Sequence, residues 1–123
     1  MEIFDSLINK VKKDRDMLAV IVFGSFARKE KYSDIDICFV LKEKQKNIEM
    51  SKKRLEYLKD FPSFDIQIFQ QLPLYIRIRI LKEGKIVFCN NMNMLYDTAF
   101  AAIKEFEDYK HVYKSYLEGV LHA

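Results

Sequence analysis

The sequence predicts an α/β fold in which a small mixed sheet of about four strands is flanked by helices and followed by a long C-terminal helix. Short apolar, β-branched runs alternate with longer amphipathic segments along the chain. Only three glycines and two prolines occur in 123 residues, so few breakers interrupt these segments. Half of the residues are hydrophobic, enough for a substantial core, and we expect one domain over residues 1–123.

The first half of the chain contains two predicted helices and two predicted strands. Residues 2–15 have apolar side chains at helical spacing, and Met17–Phe23 is a short apolar run typical of a strand buried on both faces. Residues 25–32 are polar after their first turn, which indicates a helical turn and a loop. Asp34–Leu41 is a second strand, polar only where it begins. The segment from Ile48 to Asp60 has the spacing of an amphipathic helix.

Residues 72–83 carry signals for both types of secondary structure. The alternation of apolar and basic residues over Ile76–Ile80 favours a strand. Pro73 is placed like a first-turn residue and Gly84 like a C-terminal cap, which together favour a helix. We predict a helix. The remaining expected elements are two strands and the long terminal helix, at Phe64–Phe69, Lys85–Cys89 and Met94–Leu121.

Composition limits the classes of function. Lys and Arg exceed Asp and Glu by 21 to 18, which suits a phosphate-bearing ligand and argues against a nucleic-acid-binding module. Cys38 and Cys89 stand in apolar runs without a metal-binding spacing, so we expect buried, reduced thiols. Since no signal peptide or membrane-spanning run is visible, we expect a soluble, cytoplasmic protein without membrane contacts.

Three aspartates suggest a metal site. Asp34 and Asp36 are two residues apart on a strand, so their side chains leave the same face and converge. Two carboxylates this close repel each other, and a divalent cation such as Mg²⁺ resolves the conflict. Asp65 lies early in the next predicted strand and reaches the same volume if the two strands are neighbours. Carboxylates around a metal pair suit in-line displacement at phosphorus.

A possible phosphate-binding turn precedes the acids. Gly24 lets backbone approach a phosphate closely, Ser25 adds a hydroxyl group, and Arg28 and Lys29 could balance phosphate charge. Each feature alone also has a plain structural explanation: a turn, a solvated strand end, or a surface acid. Their joint order, phosphate turn, basic loop and acid pair, indicates a nucleoside triphosphate site. Arg77 and Arg79 could also reach phosphate, but we expect them to cover the surface of their segment.

These motifs carry a family resemblance. The pattern G-S-x-A-R at residues 24–28 and S-D-I-D-I at residues 33–37, followed by Asp65 in an apolar strand, resembles the nucleotidyltransferase superfamily of DNA polymerase β. The small size resembles its minimal nucleotidyltransferase (MNT) branch, which includes the MntA-type antitoxins of HEPN/MNT toxin–antitoxin pairs. One departure from the pattern is Lys29, which stands where many relatives have glycine.

The resemblance implies a polymerase β-like fold, two Mg²⁺ ions and ATP as a substrate. By resemblance, the residues matching Asp34 and Asp36 hold both ions, and the one matching Asp65 completes the catalytic metal site and helps to deprotonate the attacking hydroxyl. Gly24 and Ser25 would hold the outer phosphates.

The resemblance also suggests the acceptor. In the characterised branch the MNT antitoxin transfers AMP to a tyrosine of its all-helical HEPN partner. Alternatives are a non-catalytic antitoxin that acts by binding alone and nucleotidyl transfer to a small molecule. The final helix has more aromatic residues than one core-facing stripe needs, which suits a partner surface or a homodimer. These aromatic residues are Phe100, Phe106, Tyr109, Tyr113 and Tyr116.

Overall fold

The structure, a computed structural model, describes residues 2–31 and 34–121. Tyr32 and Ser33, at the end of the predicted loop, lie outside this part. Within it, four strands, β1 to β4, lie at Met17–Phe23, Ile35–Leu41, Phe64–Ile68 and Lys85–Cys89. Five α-helices, α1 to α5, lie at Asp5–Lys12, Gly24–Ala27, Asn47–Asp60, Leu74–Glu83 and Met92–Leu121. Short 3₁₀ turns precede α1 and follow β3, at Glu2–Phe4 and Phe69–Gln71.

The strands form one mixed sheet in the order β3-β2-β1-β4. β1 is antiparallel to both β2 and β4, whereas β2 and β3 are parallel, because α3 carries the chain back to the same end of the sheet. The predicted α/β fold with a four-stranded mixed sheet is therefore confirmed. The parallel pairing also places the polar beginnings of β2 and β3 side by side.

The apolar core lies on both faces of this sheet. On one face, α1 and α3 contribute Leu7, Val11, Met50 and Tyr57. On the other face, α4 and α5 contribute Ile80, Leu95 and Ala102. Six of the seven residues of β1 are buried, as its continuous apolar sequence predicts. Cys38 is buried and Cys89 half-buried, and both are free thiols.

Within residues 72–83, Leu74–Glu83 forms α4, so the helix prediction is correct for all but the first two residues. Gly84 caps α4 as expected, since its N–H donates a hydrogen bond to the carbonyl oxygen of Ile80 (2.8 Å), but a left-handed backbone is not the reason for glycine. Gly84 has a φ of −73°, which any residue can adopt. A Cβ atom there would lie 2.4 Å from a methyl carbon of Ile21 and 2.5 Å from the carbonyl oxygen of Ile80. Glycine is needed because α4 turns directly against β1, and no space remains for a side chain.

The terminal helix α5 packs through its first half only. It begins at Met92, earlier than predicted, because the Asn91 side chain accepts a hydrogen bond from the Met94 N–H (3.1 Å) and caps the helix. Its buried residues are Leu95 and Ala102, and every residue from 107 to 121 is exposed. None of the helices formed by the described residues combines the length and apolarity needed to cross a membrane.

Candidate active site

Two of the predicted aspartates are direct neighbours. Asp36 on β2 pairs with Asp65 on β3 in the parallel register. The residues flanking Asp36 and Asp65 point into the core with α1 and α3, so by alternation both acids lie on the opposite face. Burial raises the pKa of Asp36, and Asp65 and then Asp34 raise it further, opposed in part by Arg28. Asp36 therefore ionises less readily than a solvated aspartate, as expected for a carboxyl group that needs a cation.

Asp34 lies at the entrance to this pair. It is exposed in the bend before β2, close enough for its charge to act on Asp36. Within residues 2–31 and 34–121, no group of three or more histidine, cysteine, aspartate or glutamate side chains is placed so that it could hold a metal ion. The structure thus places Asp36 beside Asp65. Coordination of one cation by all three aspartates stays a prediction.

The Gly24–Ser25 turn lies directly against the acid pair. Phe23, the last residue of β1, pairs with Asp36 across the sheet, so the chain enters the turn beside that carboxylate. Gly24 has a φ of +73°, and a Cβ atom there would lie 2.1 Å from Oδ2 of Asp36. Both the backbone conformation and the absence of space require glycine. The turn and the acids form one unit.

A cleft of about 290 Å³ opens beside this unit. The end of β1 and Asp36 contribute to its lining, with α2 on one side and α4 on the other. The lining residues are Phe23, Gly24, Ser25, Arg28, Asp36, Ile76, Arg79, Ile80 and Glu83. Aspartate, serine and arginine thus share one concave surface with apolar side chains, which suits a ligand that carries both charge and an apolar part.

Charged side chains of α4 and of the chain just after α2 meet across the cleft. Arg28 contacts Glu30 through Nε (3.0 Å) and Nη2 (3.3 Å), and its Nη1 lies 3.5 Å from Glu83. These carboxylates, Glu30 foremost, raise the pKa of Arg28. Nε of Arg79 lies 3.4 Å from the same oxygen of Glu83. Arg28 therefore reaches the cleft, where its partners are carboxylates, and its contact with phosphate stays a prediction.

The sequence profile of the family described as "Polymerase beta, Nucleotidyltransferase" matches residues 5–93, which include β1, β2, β3 and the whole cleft. The chain belongs to this nucleotidyltransferase family. A relative in Methanocaldococcus jannaschii, named "Putative protein adenylyltransferase MJ1547", is 34% identical over 80 residues. The match covers 63% of this chain and 61% of the relative, so the chain spans less than two thirds of the relative's length.

Solved structures of the same fold come from toxin–antitoxin complexes. A toxin–antitoxin structure with AMP-PNP superimposes with a TM-score of 0.68 at 16% identity, covering 94% of this chain and 97% of that one. A complex of tri-AMPylated Shewanella oneidensis HEPN toxin with MNT antitoxin gives 0.67 at 15% identity, covering 98% of both chains. At these identities the likeness establishes the fold. The chain thus has the polymerase β nucleotidyltransferase fold found in MntA antitoxins.

Lys29 does not reach the cleft of this nucleotidyltransferase. It lines a separate hollow with Phe26, Ala27 and Val87, among others, on the side of the sheet packed by α1. Its φ is +61°, a conformation that favours glycine. The departure in sequence therefore falls at a backbone position that suits glycine, and the predicted contact of Lys29 with nucleotide finds no support in its position.

The structure adds three residues to the predicted nucleotidyltransferase site. Gln67 donates a hydrogen bond from Nε2 to Oδ1 of Asp65 (3.3 Å). The sequence could have indicated this contact, because residues two apart on a strand lie on the same face. Arg79 and Glu83 enter from α4. Arg79 was expected to cover the surface, and nothing in the sequence indicated Glu83, because the packing of α4 against β1 decides which side chains face the cleft.

Proposed function

We propose that this protein is a divalent-metal-dependent adenylyltransferase that moves AMP from ATP to a tyrosine hydroxyl of a HEPN-type partner protein. The observation that carries the proposal is the pairing of Asp36 and Asp65 beside the Gly24–Ser25 turn. Membership of the nucleotidyltransferase family supports the reaction class. The name of the Methanocaldococcus relative supports a protein acceptor, and the tri-AMPylated HEPN toxin of the solved complex supports the kind of partner.

The acid pair fits a magnesium ion by its donor chemistry. Carboxylate oxygens are the ligands Mg²⁺ prefers, and a cation would offset both the burial and the repulsion from neighbouring acids that raise the pKa of Asp36. Asp36 and Asp65 would hold the metal, and Asp34 would join them by a rotation of its exposed side chain. Bound magnesium, two ions by family resemblance, would neutralise the charge that develops during displacement at phosphorus.

The residues of the chain have distinct tasks in the transfer. The tyrosyl oxygen forms a bond to the α-phosphorus of ATP, the bond from that phosphorus to the bridging oxygen breaks, and pyrophosphate leaves. Asp65, exposed and hydrogen-bonded by Gln67, accepts the phenolic proton. Ser25 and Arg28, which line the cleft, bind the phosphates of the leaving group. Alignment of the hydroxyl with the α-phosphorus supplies the remaining acceleration.

The exposed half of α5 offers a surface for a helical partner. Tyr109, Tyr113, Tyr116 and Val120 follow a four-three-four spacing, which places them along one side of the helix. The three tyrosines are each more than half exposed, and the rings of Tyr109 and Tyr113 stack with centroids 6.2 Å apart. An apolar, tyrosine-rich helix face of this kind pairs well with another amphipathic helix. An all-helical HEPN protein presents such faces.

The test is a transfer assay with the purified chain, ATP, Mg²⁺ and, as the candidate partner, the product of the neighbouring gene. We expect the intact mass of the partner to rise by whole AMP units, with the label on a tyrosine. Asp36→Asn should abolish the gain, whereas Asp60→Asn, a matched change of an exposed acid that pairs with Lys10, should not. If the partner gains no mass but is still neutralised, and Asp36→Asn neutralises it equally well, the protein acts by binding alone.

A further inference from the structure

The cleft contains an anion position that is already formed. One carboxylate oxygen, Oε2 of Glu83, lies 3.5 Å from Nη1 of Arg28 and 3.4 Å from Nε of Arg79. Both guanidinium groups therefore point at a single negatively charged oxygen inside the cleft. A phosphate oxygen has the same charge and acceptor chemistry as this carboxylate oxygen. Glu83 marks a place where a phosphate of the nucleotide can bind.

The two contacts of Glu83 are weak and replaceable. Charge-assisted nitrogen–oxygen hydrogen bonds are shorter, about 2.7–2.9 Å. The side chains of Arg28, Glu83 and Arg79 retain 34%, 36% and 62% of their exposure, so solvent screens both ion pairs. A phosphate group carries more charge than one carboxylate and has more acceptor oxygens. It can therefore displace Glu83 from both arginines.

The other contacts of Arg28 hold it ready for this exchange. Glu30 binds Nε and Nη2, the edge of the guanidinium that is separate from the contact with Glu83. Nη1 is left for the cleft side, where it meets Glu83. Glu30 therefore fixes the orientation of Arg28 without occupying the atom that faces the anion position. The planar guanidinium can keep Glu30 and take a phosphate at the same time.

Arg77, two residues before Arg79, is engaged elsewhere. It donates from Nε to the carbonyl oxygen of Leu72 (3.1 Å), and its Nη1 lies 3.6 Å from Glu105 on α5. It does not line the cleft. Arg77 and Glu105 join α4 to α5, whereas Arg79 and Glu83 face the cleft. Helix α4 thus forms two comparable arginine–glutamate ion pairs: Arg79 with Glu83 inside the cleft, and Arg77 with Glu105 outside it.

We propose that Arg79 binds the outer phosphates of the nucleoside triphosphate together with Arg28, and that Glu83 occupies their position until the nucleotide arrives. This inference rests on the proposed function, because it concerns the triphosphate of the same reaction. It gives α4 a direct part in nucleotide binding. Glu83 acts as an internal competitor that the outer phosphates must displace from the two arginines.

The experiment measures the affinity of the full chain for ATP and for AMP, each with Mg²⁺. Arg79→Ala should weaken ATP binding about tenfold and leave AMP, which lacks the outer phosphates, unchanged. Glu83→Gln should tighten ATP binding about two- to fivefold, because the competing charge is gone. Arg77→Ala and Glu105→Gln are the controls outside the cleft. They should lower the melting temperature slightly without a change in ATP affinity.

Two results would overturn the inference while the proposed function stands. In the first, wild-type protein binds ATP and Arg79→Ala has no more effect than Arg77→Ala. In the second, Arg79→Ala weakens AMP and ATP by the same factor, which assigns Arg79 to the nucleoside or the first phosphate. If the wild-type chain binds neither nucleotide, the proposed function itself fails. Circular dichroism of each variant shows that the comparison is made between folded proteins.

Discussion

Asp36 is a carboxyl group in an otherwise apolar, largely buried strand. Its neighbours along β2 are apolar, Asp65 stands beside it, and Gly24 leaves no room between backbone and carboxylate. Burial and the neighbouring acids raise its pKa, so the folded chain without metal holds an unfavourable charge at neutral pH. Ionisable groups whose surroundings disfavour their charged form are concentrated at functional sites.

We therefore expect Asp36→Asn to have opposite effects on activity and stability. The loss of a metal ligand should lower the transfer rate about a hundredfold or more. The sign for stability follows from the raised pKa: above the ordinary value of 3.8 the ionised group destabilises the fold, so removal of its charge should raise the melting temperature of the metal-free protein at neutral pH. Thermal unfolding with and without Mg²⁺ measures this. A lower melting temperature without metal would contradict the electrostatic account.

Gly24→Ala should destabilise the fold for two separable reasons. The positive φ costs an alanine about 1–2 kcal/mol, and the new methyl group would collide with Oδ2 of Asp36. A double-mutant cycle separates the two. In an Asp36→Ala background the collision disappears and only the backbone cost remains, so urea unfolding should show a smaller penalty there. Equal penalties in both backgrounds would mean that the turn does not press against the acid.

At the scale of elements, a polar cluster holds the chain before β1 against α3. Asp14 accepts hydrogen bonds from Lys53 Nζ and the Tyr57 hydroxyl, both at 2.8 Å. Burial opposes ionisation of Asp14, but Lys53 and Tyr57 outweigh it, so its pKa is lowered. Burial also raises the pKa of Tyr57, with Asp14 adding to the effect, so the phenol stays protonated and donates.

Asp14→Asn should therefore destabilise the protein by about 1–3 kcal/mol at neutral pH. The pKa of Asp14 is lowered on folding, so its contribution is complete above the ordinary value of 3.8 and is lost as the pH falls through the folded value. Urea unfolding of wild type and variant should give converging stabilities under acidic conditions. The exposed-acid variant Asp60→Asn serves as the control, and a difference that persists in acid would contradict the assignment.

The two halves of α5 should respond oppositely to substitution. Leu95 is buried in the core, so Leu95→Ala should destabilise the fold by about 2–5 kcal/mol. Tyr113 lies in the exposed half, so Tyr113→Lys should leave the melting temperature unchanged and weaken binding of the helical partner, as measured by calorimetry. If Tyr113→Lys binds the partner like the wild type, the partner surface lies elsewhere on the molecule.

At the scale of the whole molecule, the sequence predicted the elements better than their contacts. The predicted bounds of β1 and β4 match the structure to the residue. The continuous apolar sequence of β1 belongs to a strand buried in the sheet, whereas β4 is a partly exposed edge strand. The pairing of Asp36 with Asp65 was expected only on condition that β2 and β3 were neighbours, since spacing along the chain does not fix strand order.

The remaining features of the site depend on tertiary packing. Arg79 and Glu83 face the cleft because of the way α4 is rotated about its axis where it packs on β1. The alternation of isoleucine and arginine in the sequence does not determine that rotation. For Lys29, proximity in sequence to Arg28 suggested a shared role with that arginine, whereas the structure places the two side chains in different hollows. The left-handed backbone at Lys29 and the packing of α2 place it in a different hollow.

The most direct test of the account is a titration of the chain with Mn²⁺ in the presence of a non-hydrolysable ATP analogue, followed by electron paramagnetic resonance. Mn²⁺ replaces Mg²⁺ at carboxylate sites and reports its bound fraction. We predict that wild type and Asp60→Asn bind the ion alike, whereas Asp36→Asn and Asp65→Asn each bind it at least about tenfold more weakly. Equal binding by all four proteins would show that the two paired acids do not hold the metal, and would contradict the proposed transferase site.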